Sequence, residues 1–243
     1  MKTKLLILFI LVFSVSSLMA QEKQNTTLPM LGEVAPSFTA ESTNGTLNFP
    51  QDFGRDWKVI FSHPADFTPV CSSELLDLAT LQENFKKMHV DIIVVSTDNL
   101  DKHTQWVKSI ETLNYKNREQ AKIKFPLVAD QDLSIAKKYG MIQANSSSTK
   151  DVRGVFIIDP QNKIRAMFYY PMNVGRNMDE IQRTVTALQT ADKNEVLIPS
   201  GWHTGDDVLV PFVKSDDEQG NLADAENSDV YQVAWYMRFK KMQ

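Results

Sequence analysis

Cysteine is almost absent from this chain: Cys71 is the only one among 243 residues. No internal disulfide can form. The Cys-x-x-Cys pair of a disulfide oxidoreductase is also missing, because Ser72, Ser73 and Glu74 follow Cys71. A single unpaired thiol is either a small buried hydrophobe or an accessible, reactive nucleophile.

Positive charge and nucleotide motifs are scarce as well. There are 26 Lys and Arg against 30 Asp and Glu, so the net charge is −4 and gives no footprint for nucleic acid. The sequence has no G-x-G-x-x-G, P-loop or G-x-S-x-G spacing. The acidic residues in the range 216–229 lack an EF-hand pattern and are predicted to form a solvated loop. No cofactor and no metal are predicted; three histidines without metal-like spacing are predicted at the surface, namely His89, His103 and His203.

The first twenty residues have the pattern of a secretory signal peptide. Lys2 and Lys4 precede the apolar run Leu5–Phe13, and small residues lead to a cleavage point after Ala20. The run from 5 to 20 is short for a bilayer span, so no stable membrane span is expected after removal. The sequence therefore predicts export, to the periplasm or outside the cell, with residues 21–28 as a flexible leader. Loss of the two lysines would change the net charge from −4 to −6.

The rest of the chain alternates strand and helix patterns. A strand at 57–61, a helix at 75–88 and an unbroken apolar strand at 90–95 predict a right-handed βαβ unit. The sequence predicts an α/β domain over 29–191, with helices on both faces of a mixed sheet, and a smaller extension over 192–243. The other predicted elements are an N-terminal hairpin within 29–50, a helix with Trp106, Ile110 and Leu113 on one face, an extended piece at 125–128, a helix at 132–139, hairpin strands at 154–158 and 164–170, and a helix opened by Asn177 and running to 189.

Cys71 lies at the start of the first long helix in this predicted pattern. Pro69 has no N–H to donate and suits the first helical position, which makes Thr68 the predicted N-cap. Cys71 is then the third helical residue, where free backbone N–H groups and the positive end of the helix dipole favour a thiolate. A thiolate that attacks a peroxide also needs a permanent cation close by, and arginine suits that role.

Three blocks in this order carry a resemblance to a known family. Pro64, Thr68 and Cys71 match the P-x-x-x-T-x-x-C pattern of the peroxiredoxins, and the stretch 63–71, His-Pro-Ala-Asp-Phe-Thr-Pro-Val-Cys, resembles the one-cysteine subfamily in particular. The block 153–160 resembles the strand that carries the family's active-site arginine. The block 170–180 resembles the segment that leads into the last core helix. The chain is therefore identified from its sequence as resembling one-cysteine peroxiredoxins of the alkyl hydroperoxide reductase C and thiol-specific antioxidant type.

The resemblance implies a fold and an activity. The fold would be α/β and thioredoxin-like, with an N-terminal β-hairpin and a C-terminal peroxiredoxin extension that serves dimerisation, so a homodimer or higher homo-oligomer is expected. The activity would be thiol-dependent reduction of hydrogen peroxide and organic hydroperoxides through a sulfenic acid at Cys71. Without a second cysteine, an external thiol would have to regenerate the enzyme. The alternative is a non-enzymatic redox sensor or holdase that uses Cys71, which catalytic turnover would distinguish.

The resemblance also implies roles for individual side chains. Cys71 would be the peroxidatic cysteine, with Thr68 and Arg153 as its activating partners. The predicted substrate-binding residues are Pro64 as a shield, His63 and Arg176 as pocket lining, and Glu74 as the residue that orients an arginine. Plainer alternatives stay open for three of them, namely structural pairing for His63 and Arg176 and a helix-dipole role for Glu74.

Overall fold

The structure is a computed structural model that describes residues 28–116, 120, 122–211 and 229–242. The predicted signal peptide, almost all of the predicted leader and most of the acidic range 216–229 lie outside the described residues.

In the described ranges the chain forms a mixed seven-stranded sheet, a small three-stranded sheet and four α-helices. The strands of the large sheet are β1 (Phe38–Ser42), β2 (Gly45–Phe49), β3 (Trp57–Ser62), β4 (Val90–Ser96), β5 (Leu127–Ala129), β6 (Arg153–Ile158) and β7 (Ile164–Tyr170). The helices are α1 (Pro69–Lys87), α2 (Leu100–Ile110), α3 (Ser134–Lys138) and α4 (Met178–Asn194). The small sheet contains β8 (Val208–Leu209), β9 (Val230–Ala234) and β10 (Met237–Lys240).

The large sheet has the order β2-β1-β5-β4-β3-β6-β7. β3, β4 and β5 are parallel, and β6 and β1 pair antiparallel to the outer strands of this parallel group. The predicted mixed sheet and its βαβ unit are confirmed. Because β6 runs against β3, the first residues of β6 lie beside the carboxyl end of β3, next to the loop that leads into α1.

Both faces of the sheet are covered, which explains the unbroken apolar runs of the central strands. On one face, Val59 and Phe61 pack with residues of α1, α2 and α4. On the other face, Ile60 packs with α3 and with the N-terminal hairpin. Successive residues of β3 therefore enter two different cores, as the alternation of side chains along a strand requires.

Several helix boundaries differ from the sequence prediction, and α3 covers Ser134–Lys138 instead of 132–139. α2 ends at Ile110, so Leu113 does not join Trp106 and Ile110 on the buried face and is exposed. The prediction for Leu113 was wrong because helical spacing alone does not locate where a helix stops. α4 runs to Asn194, five residues beyond the predicted end, and Asn177 caps it as predicted by accepting from the N–H groups of Asp179 and Glu180.

The segment after α4 packs on that helix. Val196, Trp202 and Val208 form a small apolar cluster with Ala187 of α4. An arginine of α4, Arg183, also donates to the carbonyl of Trp202 at 3.1 Å. None of the helices in the described ranges has the length and unbroken apolar character that a bilayer crossing requires.

Candidate active site

The start of α1 places the lone thiol. Thr68 has extended backbone angles (φ −108°, ψ 149°), and Pro69 opens the helix. Cys71 is therefore the third helical residue, as predicted, and is 2% exposed. The hydroxyl of Thr68 makes no capping bond and donates to the carbonyl of Ala65 at 3.0 Å, rather than to the sulfur. The Thr68 oxygen keeps its lone pairs free to accept from another group.

A guanidinium group lies directly against the sulfur. Nη1 of Arg153 is 3.2 Å from Sγ of Cys71, although 82 residues separate the two in the chain. The rest of the fork is fixed, because Nε and Nη2 both donate to the carbonyl of Met172, at 3.1 and 2.7 Å. Arg153 is almost completely buried. Its position follows from the fold, since the first residue of β6 lies beside the end of β3 and the following loop.

Glu74 joins two arginines behind the thiol. It accepts from Nη1 of Arg153 at 2.8 Å and from Nη2 and Nε of Arg176 at 2.7 and 2.9 Å. Nη1 of Arg176 donates in turn to the carbonyls of Ser62 and Gly154, both at 2.8 Å. Two positive charges and one carboxylate leave a net charge of +1, and a thiolate at Cys71 would bring the set to neutrality. This arrangement stabilises an anion on the sulfur.

A close approach of β3 and β6 brings these charged groups together. The hydroxyl of Ser62 donates to the carbonyl of Val152 at 2.6 Å and accepts from the N–H of Gly154 at 2.8 Å. A β-carbon at position 154 would lie 3.0 Å from that hydroxyl oxygen. Glycine at this position therefore lets β6 approach β3 closely enough to bring Arg153 to the sulfur.

A small cavity of about 10 Å³ lies beside the thiol, close to the smallest space that holds one water molecule. Cys71, His63, Glu74 and Arg176 all contribute to its lining, together with Trp106 and five apolar side chains. Pro64, from the same loop as His63, is buried. The structure thus brings together four of the seven predicted site residues around one cavity, and Arg153 adjoins it through its bond to Cys71.

Sequence reasoning missed one part of this neighbourhood. His103 was predicted at the surface, but its side chain is fully buried and its Nδ1 lies 2.6 Å from Oδ2 of Asp66. The other oxygen of Asp66 lies 2.8 Å from Nε2 of His63. A signal for His103 was present, since it shares the spacing of Trp106 and Ile110 along the buried face of α2. The other two histidine predictions agree with the structure, in which His89 and His203 are exposed.

Family models cover most of the chain. The model of the AhpC/TSA family matches residues 31–167, and the model of the C-terminal domain of 1-Cys peroxiredoxin matches residues 187–223. The chain belongs to the peroxiredoxin family. In the described part of this peroxiredoxin, no group of three or more His, Cys, Asp and Glu side chains is arranged to hold a metal ion.

Curated relatives match most of this chain. A peroxiredoxin of Methanosarcina mazei is 43% identical over 215 residues, which are 88% of this chain and 98% of the relative. A mitochondrial peroxiredoxin of Saccharomyces cerevisiae is 40% identical over 216 residues, which are 85% of this chain and 78% of the relative.

Solved structures show the same fold. The yeast mitochondrial 1-Cys peroxiredoxin has a TM-score of 0.77 and 37% identity, over 88% of this chain and 100% of the solved chain. A Cys-to-Ser mutant of Peroxiredoxin 6 of Arenicola marina has the same TM-score and 33% identity, over 88% and 98% of the two chains. The predicted thioredoxin-like peroxiredoxin fold is confirmed, and the protein is a thiol-dependent peroxidase with a single cysteine.

Proposed function

We propose that Cys71 is the peroxidatic residue and that it reduces both hydrogen peroxide and organic hydroperoxides. The observation that carries the proposal is the hydrogen bond of 3.2 Å from Nη1 of Arg153 to Sγ of Cys71. A buried arginine remains charged and places a donor where both a thiolate and a bound peroxide need one. Glu74, Arg176 and the carbonyl of Met172 hold that donor in place.

In the proposed reaction, the sulfur attacks one oxygen of the peroxide. An S–O bond forms, the O–O bond breaks, and the electron pair of that bond leaves on the other oxygen. That oxygen takes up a proton and departs as water or alcohol, while the sulfur, oxidised by two electrons, becomes a sulfenic acid. Arg153 stabilises the negative charge that develops on the oxygens. Thr68, whose own proton is used on Ala65, accepts a hydrogen bond from the peroxide.

Burial supports the roles that we propose for the remaining predicted residues. His63 and Pro64 are buried on the loop before α1 and restrict the access of water to Cys71. Arg176 fixes Glu74, so that Arg153 keeps its orientation toward the sulfur. In this proposal the loop residues His63 and Pro64 shield the site from water, and Arg176 and Glu74 position Arg153.

An external thiol regenerates the enzyme in this proposal. The chain has no second cysteine that could form a disulfide with the oxidised Cys71. The solved yeast relative concerns a thiol resolving mechanism through the glutathione and thioredoxin systems. The first thiol would displace water from the sulfenic acid to give a mixed disulfide, and a second thiol would then release reduced Cys71.

The test is a stopped-flow reaction of the reduced protein with one equivalent of hydrogen peroxide or of an alkyl hydroperoxide. The intrinsic tryptophan fluorescence gives the rate, and a sulfenic-acid reagent traps the product. We expect stoichiometric oxidation much faster than that of a free thiol at the same pH, and no reaction in Cys71→Ser. A rate equal to that of a free thiol would refute the proposal. Steady-state turnover with glutathione or with thioredoxin then identifies the regenerating thiol.

We further propose a homodimer that involves the C-terminal extension, residues 192–243. The β9–β10 hairpin exposes several large apolar side chains, which is typical of a protein–protein contact. These residues are Tyr231, Val233, Trp235 and Tyr236. Light scattering at micromolar concentration should give twice the mass of the chain, and a monomer would contradict the proposal.

Export is the third part of the proposal, and it rests on the signal-peptide pattern of residues 1–20. Expression of the full chain in a host with a secretory pathway, followed by fractionation and N-terminal sequencing, tests it. We expect a product that begins at Gln21 outside the cytoplasm. An uncleaved product in the cytoplasm would refute this part alone.

A further inference from the structure

A buried carboxyl group, that of Asp151, lies just before β6 and takes no part in the reaction proposed above. Asp151 is 0% exposed, and neither of its side-chain oxygens has a hydrogen-bond partner in the part of the chain that the structure describes. A buried polar group without a partner destabilises the folded state, so its presence in a native protein calls for an explanation. Asp151 is also only two residues away from Arg153, the donor to the thiol.

The loop that ends at Asp151, residues 142–151, connects α3 to β6. Most of its residues are exposed, and Asp151 is the buried one. Val152 ties the end of the loop to the rest of the domain: its N–H donates to the carbonyl of Met141 at 2.9 Å, and its carbonyl accepts from the hydroxyl of Ser62 at 2.6 Å. A segment with so few buried contacts opens locally at a lower cost in free energy than the core strands.

The charged groups around Asp151 favour its neutral form. Burial raises the pKa of Asp151, and the negative charge of Asp130, at the end of β5, raises it further. Lys150 opposes this only in part, because its Nζ pairs with Asp98, after β4, at 3.2 Å. The guanidinium group of Arg153 is bonded elsewhere, to the sulfur and to the carboxylate behind it.

Ionisation of Asp151 therefore has a structural consequence. A carboxylate needs hydrogen-bond donors, and burying one without them costs several kcal/mol on the order of a buried unpaired ion. Water supplies those donors once the side chain is exposed. The charged form of Asp151 consequently favours a state in which the end of the loop has left its buried position.

We propose that Asp151 is a pH-sensitive latch for the loop 142–151. In its neutral form Asp151 stays buried, and the loop remains closed against the start of β6. When the carboxyl group releases its proton to solvent, the carboxylate moves out to water and the loop opens, while the sheet stays folded. One proton leaves for each loop that opens.

The latch is connected to the site through the residues on either side of Arg153. The hydroxyl of Ser62 donates to the carbonyl of Val152 and accepts from the N–H of Gly154. An open loop removes the first of these bonds, so Arg153 is held less firmly toward Cys71. A donor stabilises developing charge only while its orientation is kept. This effect on the reaction rate, unlike the latch itself, rests on Cys71 being the reacting sulfur.

Hydrogen exchange of the Val152 N–H, followed by NMR over a range of pH, tests the latch directly. The unmodified protein is compared with Asp151→Asn, which cannot ionise, and each rate is divided by that of a short peptide of the same sequence. Because opening releases one proton, the corrected rate of the unmodified protein should rise relative to that of the variant, by up to about tenfold for each pH unit. The two corrected rates should converge toward low pH.

Two results would overturn the latch. One is a ratio of the two corrected rates that does not change with pH. The other is exchange of the Val152 N–H that is only as slow as that of the core amides of β4, because the loop would then open only when the whole protein unfolds. Asp151→Ala, which also lacks the titrating group, should behave like Asp151→Asn. Asp101→Asn makes the same change at an exposed acid of α2 and should behave like the unmodified protein.

Stopped-flow oxidation by hydrogen peroxide tests the connection to the site. At pH 6 the rates of the unmodified protein and of Asp151→Asn should agree within about twofold, and at pH 9 the unmodified protein should be slower by at least about threefold. Parallel pH profiles would overturn the connection to Arg153. The exchange measurement can be repeated in Cys71→Ser, so it decides on the latch whether or not Cys71 reacts with peroxide.

Discussion

Glu74 and Asp151 are both buried carboxyl groups near the start of β6, but their surroundings differ. Glu74 accepts four hydrogen bonds from Arg153 and Arg176. Both carboxyl oxygens of Asp151, two residues before Arg153, are buried and have no hydrogen-bond partner in the described ranges. One carboxyl group is therefore surrounded by donors, and the other by none.

The difference appears in the charge that each group carries. Burial, together with the charge of Asp130, raises the pKa of Asp151 well above its ordinary value, and Lys150 only partly opposes this. The folded protein thus favours the neutral form of Asp151. The protein thus pairs the buried carboxylate near the sulfur with guanidinium donors, and it favours the neutral form of a carboxyl group where donors are missing.

The largest effect is expected from Arg153→Met, which removes the donor to Cys71 and leaves Glu74 paired with Arg176. The rate of oxidation by hydrogen peroxide should fall about 100-fold or more, because a fixed donor at the developing charge is lost. Stopped-flow fluorescence gives the rate, and circular dichroism should show an intact fold. Arg165→Met, which alters a surface pair with Asp192, is the control. An unchanged rate in Arg153→Met would remove Arg153 from the mechanism.

Glu74→Gln should have the next largest effect, and chiefly on stability. It leaves two buried guanidinium groups without their shared carboxylate, which should lower the free energy of unfolding by about 3 kcal/mol. The peroxide rate should fall about tenfold because Arg153 loses one of its anchors. Urea denaturation measures the first quantity. Glu83→Gln, at an exposed site of the same helix, should change stability by less than about 0.5 kcal/mol. Equal stability of the two variants would mean that Glu74 is not the centre of the charged set.

Asp151→Asn should have the smallest effect on activity. It should raise stability at pH 7, whereas Glu74→Gln should lower it. Burial raises the pKa of Asp151 in the folded protein and so favours its protonated form, whereas the unfolded chain releases that proton above a pH of about 4. Stability contributed by this group is therefore complete at low pH and is lost as the pH rises. The variant should be more stable than the unmodified protein at pH 7, and the difference should vanish near pH 3.5. A variant less stable at pH 7 would show that Asp151 has a partner that favours its charged form.

Much of the fold could be predicted because its signals are local. Branched apolar runs indicated β3 and β4. Pro69 indicated the start of α1, and the helix begins at that residue, two positions before Cys71. The contact between Arg153 and Cys71 is a different matter, since no periodicity relates residues 82 positions apart. Only the resemblance to a family pointed to it. The pairing of β6 with β3 is the physical reason for it, and the sequence does not specify that pairing locally.

The errors also have physical causes. His103 follows the spacing of a buried face, but a histidine is usually assigned to the surface unless a partner is known, and its partner Asp66 lies in a loop 37 residues earlier. Asp66 itself gave no signal, because a carboxylate in a loop is most often solvated. Asp151 was missed for the same reason. Buried polar groups are where reasoning from sequence alone is weakest, because their cost depends on partners that only the fold brings together.

The single thiol at the start of α1 determines how oxidation is distributed over a population of protein molecules. With Cys71 as the reacting sulfur, each molecule holds one two-electron oxidising equivalent and must wait for an electron donor before it can accept another. At saturating peroxide the overall flux then equals the rate at which donors arrive. The fraction of molecules in the oxidised form is set by the ratio of two arrival frequencies, that of peroxide and that of donor, so it reports the local balance between them.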